Sequence, residues 1–217
     1  MEAVWTRFFP AIVKLKSMID EGAIGQVKYM SANFGFQRQP DGGSDERARL
    51  TDPALGGGAV LDVGVYVINL ATMVFGGDRP ESIYASGWLT DTGVDDFAAV
   101  TLKYSGERVA QLTCTIGLDL PNEAIVVGTK GTLKLPCPFW CPSKLETPTG
   151  TLEFPLPSVH KPTVFRNGSG MSYEAEEVRA CLIASKQESC HMTLDQSQVI
   201  ADVMDDVMKQ LGVTYYV

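Results

Sequence analysis

Asp62 and Tyr66 stand four residues apart inside an apolar run, GGGAVLDVGVYVINLATMVFGG, residues 56–77. On a helix this spacing, continued by Asn69, draws one polar stripe along an otherwise apolar rod. A stripe of that kind facing the core costs free energy unless each group finds a partner. The chemistry on offer is proton transfer: a tyrosine can exchange a proton with a substrate oxygen while a carboxylate positions it or the substrate. A free phenol has a pKa of about 10, so it needs a nearby cation to act as acid and base near neutrality. A structural alternative stands beside this one. Asp62, just after three glycines, is placed to cap the helix and complement its dipole. Tyr66 can be a core aromatic whose hydroxyl meets a carbonyl.

Other candidate groups carry less. Gly56-Gly57-Gly58 does not match the G-x-G-x-x-G fingerprint, and GTKGTL at 128–133 lacks the spacing of a P-loop. Both read as turns. Cys137 and Cys141 flank Pro138-Phe139-Trp140 without a second pair or a local histidine, so no metal is expected there. His160 and His191 belong to no triad or ligand motif. Five cysteines, Cys114, Cys137, Cys141, Cys181 and Cys190, cannot all pair within one chain, and MEAVWTRFFPA is no signal peptide. Free thiols in a reducing, cytoplasmic setting are expected.

The elements that must hold these groups can be read from periodicity. FPAIVKLKSMIDEGAIG spaces Ile12, Val13, Leu15, Met18 and Ile19 as a helix, with Pro10 at its start and Gly22 and Gly25 as stops. QVKYMSANFGF carries apolar groups on both alternating rows, a strand contacted on two faces. Residues 37–55 are polar, charged and rich in glycine and proline, a long loop of the kind that often carries function. SIYASGWLT, FAAVTLKYS, RVAQLTCTIG and NEAIVVGT follow as hairpin-connected strands, with GTKGTLKL adding another. Residues 136–170 read as coil. Two helices close the chain. The first carries Tyr173, Val178, Cys181 and Leu182 inward with Ser172 as its cap. The second carries Leu194, Val199, Ile200, Val203, Val207 and Leu211 inward. The expected fold is α+β: one open, mostly antiparallel sheet with helices packed on one face. The other sheet face carries apolar side chains too, so a second domain or subunit is its expected cover.

Composition narrows the function classes. Eighteen basic against twenty-six acidic residues give a net charge of −8, with no basic run, which argues against nucleic-acid and anionic-membrane partners. The apolar run at 56–77 holds Asp62, Asn69 and Thr72 and falls short of the roughly 20 clean apolar residues of a membrane span.

MEAVWTRFFPA, GGGAVLDVGVY, MVFGGDRPE, TGVDD, GTKGTL, FWCP, NGSGMSYEA and the terminal LGVT occur in this order. Together they resemble the dihydrodiol and D-xylose dehydrogenase branch of the glucose–fructose oxidoreductase and inositol dehydrogenase family, over essentially the whole chain. The resemblance implies an NADP-dependent oxidoreductase acting on CH–OH groups of trans-dihydrodiols or D-xylose. It implies that residues 1–24 are a connecting helix region from a Rossmann domain and residues 25–217 the substrate-binding and dimerisation domain. The family's G-x-G-x-x-G turn and E-K-P segment do not occur in these residues, so the resemblance implies a Rossmann domain outside them, which would bind most of NADP. Asp62 and Tyr66 match the family's D-x-G-x-Y motif as catalytic residues, Tyr66 for proton transfer, its cation being the lysine of E-K-P. Trp5, Arg7, Phe34, Trp140 and Phe165 match positions that wall a ring-shaped or sugar substrate. Core packing is the alternative for each, and a structural ion pair for Arg7. A homodimer through the open sheet face is implied. Lys28 and Trp88 stand where close relatives carry arginines, and the 37–55 loop is longer, which bears on substrate preference. The rival expectation is a catalytically silent dimerisation module, since no phosphate-binding turn is present.

Overall fold

The computed structural model of the chain describes residues 1–38 and 49–215. Most of the long loop read at 37–55 therefore lies outside the described residues. Pro10, which has no N–H to lose, opens helix α1, Pro10–Asp20, and Gly22 in the left-handed region stops it. Trp5 and Phe8 in the short 3-10 turn Trp5–Phe8, with Phe9 after it, join the same apolar core as the sheet, so residues 1–24 and 25–217 share one core. The packing is close. A Cβ added at Gly170 would lie 2.1 Å from the Phe9 ring.

Eight strands form the sheet: β1 Val27–Gly35, β2 Ser82–Leu89, β3 Asp95–Tyr104, β4 Arg108–Thr115, β5 Ala124–Gly128, β6 Gly131–Leu135, β7 Lys144–Thr147 and β8 Gly150–Glu153. Their order is β2-β3-β4-β1-β5-β6-β7-β8, antiparallel throughout except where β1 runs parallel to β4. The expected run of hairpins is thus broken once, because β1 inserts between β4 and β5. The connection after β1 passes through a long helix, the kind of crossover a parallel pair requires. Residues 136–170 also hold the β7–β8 hairpin, not coil alone; its four-residue strands are too short to show an alternation.

Alternation elsewhere sets two different faces. Met30, Ala32, Ala98, Val100, Leu102, Ala110, Leu112 and Val126 are buried under the helices. The opposite row holds Tyr84, Ser86 and Trp88 across from Thr101, Ala99 and Phe97, and lies half-exposed or open. On the buried side, a π-turn Val60–Gly64 runs into helix α2, Val65–Val74. The helical stretch Pro53–Val74 is long and apolar enough to cross a membrane, yet 78% of its apolar window is buried inside the protein. It is a core helix. Gly64 lets it approach the sheet, since a Cβ there would sit 3.0 Å from the Cys114 sulfur.

Helix α3, Met171–Ile183, departs from its expected packing. Tyr173 packs edge-on against Phe9 at 5.6 Å, but Val178 and Leu182 are exposed and Cys181 is only half-buried. The α3 sequence offers charged residues on most of its circumference, so only its first turn reaches the core. Ser172 is not the cap. Gly170 holds that position, and the Ser172 hydroxyl donates to the Ser169 carbonyl at 2.8 Å. Helix α4, Leu194–Leu211, buries Ile200, Val203 and Val207 as expected, whereas Leu194 in its first turn is exposed. Its cap is Thr193, which accepts from the Gln196 N–H. Gln210 on α4 binds the Ala85 N–H and the Ile83 carbonyl, covering the free edge of β2.

Arg7, 3% exposed, ties these parts together. Its guanidinium donates to Asn69 Oδ1 on α2 at 2.6 Å, to the His191 carbonyl at 2.8 Å and to Gln196 on α4. These acceptors are all neutral, so burial holds the guanidinium pKa down at about 10. Replacing Arg7 with Met should strip one buried and two part-buried acceptors of their donor and cost about 3 kcal/mol in chemical denaturation. A loss below about 1 kcal/mol would show that the node carries little of the fold.

Candidate active site

The local fold around Asp62 begins with the glycine turn. Gly56 and Gly58 take positive φ, and the Gly57 and Gly58 amides bond to the Asp52 and Leu50 carbonyls. A Cβ on Gly58 would lie 2.4 Å from Asp95 Oδ1. Asp95, fully buried at the start of β3, accepts the Val60 N–H at 2.6 Å and so serves the helix N-terminus from a distant strand. Burial raises its pKa, and the backbone bonds to the helix start pull it back. The cap is therefore Asp95 and not Asp62. The turn is also closed to phosphate, because its amides are used and a carboxylate already fills the positive end.

Freed from capping, Asp62 projects from the π-turn into a cavity of about 470 Å³. A π-turn widens the helix and is often found at functional sites. Arg49 meets the carboxylate there at 2.6 Å. Tyr66, at the start of α2, lines the same cavity. Phe34, at the end of β1, touches the Tyr66 ring edge-on at 5.4 Å and stacks flat on Trp140 at 3.9 Å. Trp5 and Phe165 complete the wall, Phe165 standing at its exposed rim. An aromatic wall with a few convergent polar groups suits a small ring.

Burial raises the Tyr66 phenol above its ordinary value of 10.0. A hydrogen bond with the Trp5 side chain works against that rise, and the charge of Asp62 adds to it. At neutral pH the phenol is a proton donor. To accept a proton it needs positive charge brought close.

Asp62, Tyr66, Trp5, Phe34, Trp140 and Phe165 are thus gathered in one cavity. Arg7 is not among them. It lines a separate cavity of about 410 Å³ beside His191 and Gln196, and it is neither a wall residue here nor half of an ion pair. Asn69, third in the expected stripe, turns to Arg7 instead. Arg49, Asn122 and Arg166 line the Tyr66 cavity and were not singled out by sequence. The charge of the 37–55 loop was the signal for Arg49. Asn122 fixes the end of β1 through two bonds to Gly35, at 2.8 and 3.0 Å, a role no local pattern announces. Lys28 and Trp88 lie outside the cavity: Lys28 pairs with Glu107, and Trp88 stacks on Phe97 across the open sheet face.

The profile described as the GFO/IDH/MocA C-terminal domain matches residues 12–134. The chain belongs to the GFO/IDH/MocA family. Among relatives, the trans-1,2-dihydrobenzene-1,2-diol dehydrogenase of Danio rerio is 47% identical over 215 residues, 99% of this chain and 63% of that protein. The enzyme of the same name from Homo sapiens is 43% identical over the same shares. The chain thus spans about 63% of the length of these relatives. Among solved structures, levoglucosan dehydrogenase in complex with NADH and levoglucosan matches 98% of this chain and 64% of its own, with a TM-score of 0.76 and 19% identity. Aldose-aldose oxidoreductase from Caulobacter crescentus, complexed with glycerol, matches 96% and 60%, with a TM-score of 0.72 and 19% identity. These likenesses carry the fold: the open sheet with helices on one face is that of GFO/IDH/MocA oxidoreductases.

Proposed function

We propose that this GFO/IDH/MocA domain is the substrate-binding half of an NADP-dependent dehydrogenase that acts on CH–OH groups of trans-dihydrodiols or D-xylose. The observation that carries the reading is the joining of Tyr66, Asp62 and a stacked aromatic wall in one cavity. Identity of 47% to a trans-1,2-dihydrobenzene-1,2-diol dehydrogenase supports the diol. In this reading the flat Phe34–Trp140 stack takes the ring, and Tyr66 exchanges the hydroxyl proton. Asp62, held by Arg49, receives a substrate hydroxyl as a hydrogen bond.

NADP supplies the hydride acceptor and is held by a Rossmann domain of the full-length protein; the residues described here do not fit its phosphates. The raised phenol supports a division of labour between domains. A lysine brought against Tyr66 by the Rossmann domain would offset its burial and make it a base.

The open sheet face supports a homodimer. Its stacked Trp88–Phe97 pair, 4.2 Å apart, shares this face with Tyr84, Ser86 and Thr101, while the Trp88 indole N–H donates to Asp96 at 3.2 Å. The free thiols support a reducing, cytoplasmic location.

In the full-length protein, Tyr66→Phe should lower kcat by roughly 10²- to 10⁴-fold with KM little changed. Unchanged turnover would remove Tyr66 from the reaction. Trp88→Glu should shift the chain from dimer to monomer in sedimentation, and an unaltered profile would place the interface elsewhere.

A further inference from the structure

Away from the Tyr66 cavity, Glu177, Cys190 and His191 bring one ligand atom each to within 4.8 Å of one another. Cys181 stands one turn along α3 from Glu177, its sulfur 3.4 Å from Glu177 Oε1. The i, i+4 spacing sets both on one helix face. The segment before α4 faces them with adjacent residues, Cys190 and His191. We propose that Glu177, Cys181, Cys190 and His191 form a zinc site that staples α3 to the start of α4.

The donor set argues for the metal. Two sulfurs, one imidazole nitrogen and one carboxylate oxygen suit a tetrahedral, borderline-soft cation, whereas magnesium and calcium require oxygen shells. Groups behind the ligands are already placed. Ser189, 1% exposed, donates its hydroxyl to Glu177 Oε1 at 2.6 Å and accepts the His191 backbone N–H at 3.0 Å. The His191 carbonyl is fixed by Arg7 at 2.8 Å, and its ring meets Phe8 edge-on. Such outer partners aim ligands and are part of what a metal site needs. Cys190 and His191 also line the open cavity beside Arg7, which gives the ion a way in. Binding displaces one proton from each thiol, and no electron moves.

The fold gives the staple a purpose. No residue of α3 is fully buried, and Leu182 and Ile183 at its end are exposed. Hydrophobic burial therefore holds this half of the helix weakly, and a metal bridge to the segment before α4 would tie it to the Arg7 node.

Cobalt(II) is the probe for the test, titrated into the reduced, metal-free chain, with zinc then added. The expected result is a thiolate-to-cobalt charge-transfer band that saturates at one equivalent, is bleached by zinc, and accompanies a rise in Tm. Cys190→Ser and His191→Ala, each shown by circular dichroism to be folded, should weaken binding at least tenfold. Cys137→Ser should leave it unchanged. Absence of the band in the parent chain, or a band that survives in both site variants, would overturn the proposal.

Discussion

A buried guanidinium with only neutral acceptors organises this domain. Arg7 cannot shed its charge at neutral pH and is only 3% exposed, so the oxygens that accept from it must stay in place. Those oxygens come from α2, from the segment before α4 and from α4 itself. The N-terminal turn is thereby locked against two helices. Trp5, two residues earlier, is carried to the cavity where Tyr66 stands. One charge thus joins the architecture to the candidate site without touching it.

The second constraint is the division of two carboxylates near one helix start. Asp95 fills the positive end of the helix from β3, and Gly58 yields the space it needs. Asp62 is left to face the cavity, where Arg49 neutralises it. Burial raises the Tyr66 phenol above its ordinary value and keeps it neutral at neutral pH. Under the proposed function such a site is half a mechanism, one that would position a hydroxyl and hold a proton, with no phosphate cradle of its own among the described residues.

Much of this could be read from the sequence because it is local. Helical spacing after Pro10 marked α1, alternation marked β1, and short β-rich runs between turn segments marked β2 to β6. The Asp62–Tyr66 pair was visible in its spacing, and the motif resemblance assembled five companions, four aromatic and one basic, of which all but the basic Arg7 line one cavity. What could not be read was decided by distant partners. Nothing near Asp95 in sequence says that it caps Val60, and nothing near β1 says that β4 will lie parallel to it. The α3 helix was read inward from its apolar residues, but of these only Tyr173 packs against the core. His191 and Cys190 had no motif because their companions, Glu177 and Cys181, lie on another element.

The central claim is that small diols or sugars bind at the Phe34–Trp140 stack beside Tyr66. The chain holds three tryptophans, and they divide usefully: Trp5 and Trp140 line the cavity, whereas Trp88 lies on the open sheet face. The most direct measurement is an NMR titration of the three indole N–H signals with trans-1,2-dihydrobenzene-1,2-diol and with D-xylose. The account predicts saturable shifts at Trp5 and Trp140 with Trp88 unmoved, and loss of the Trp140 response in Phe34→Ala. A response at Trp88 alone, or no response at saturating ligand, would contradict it.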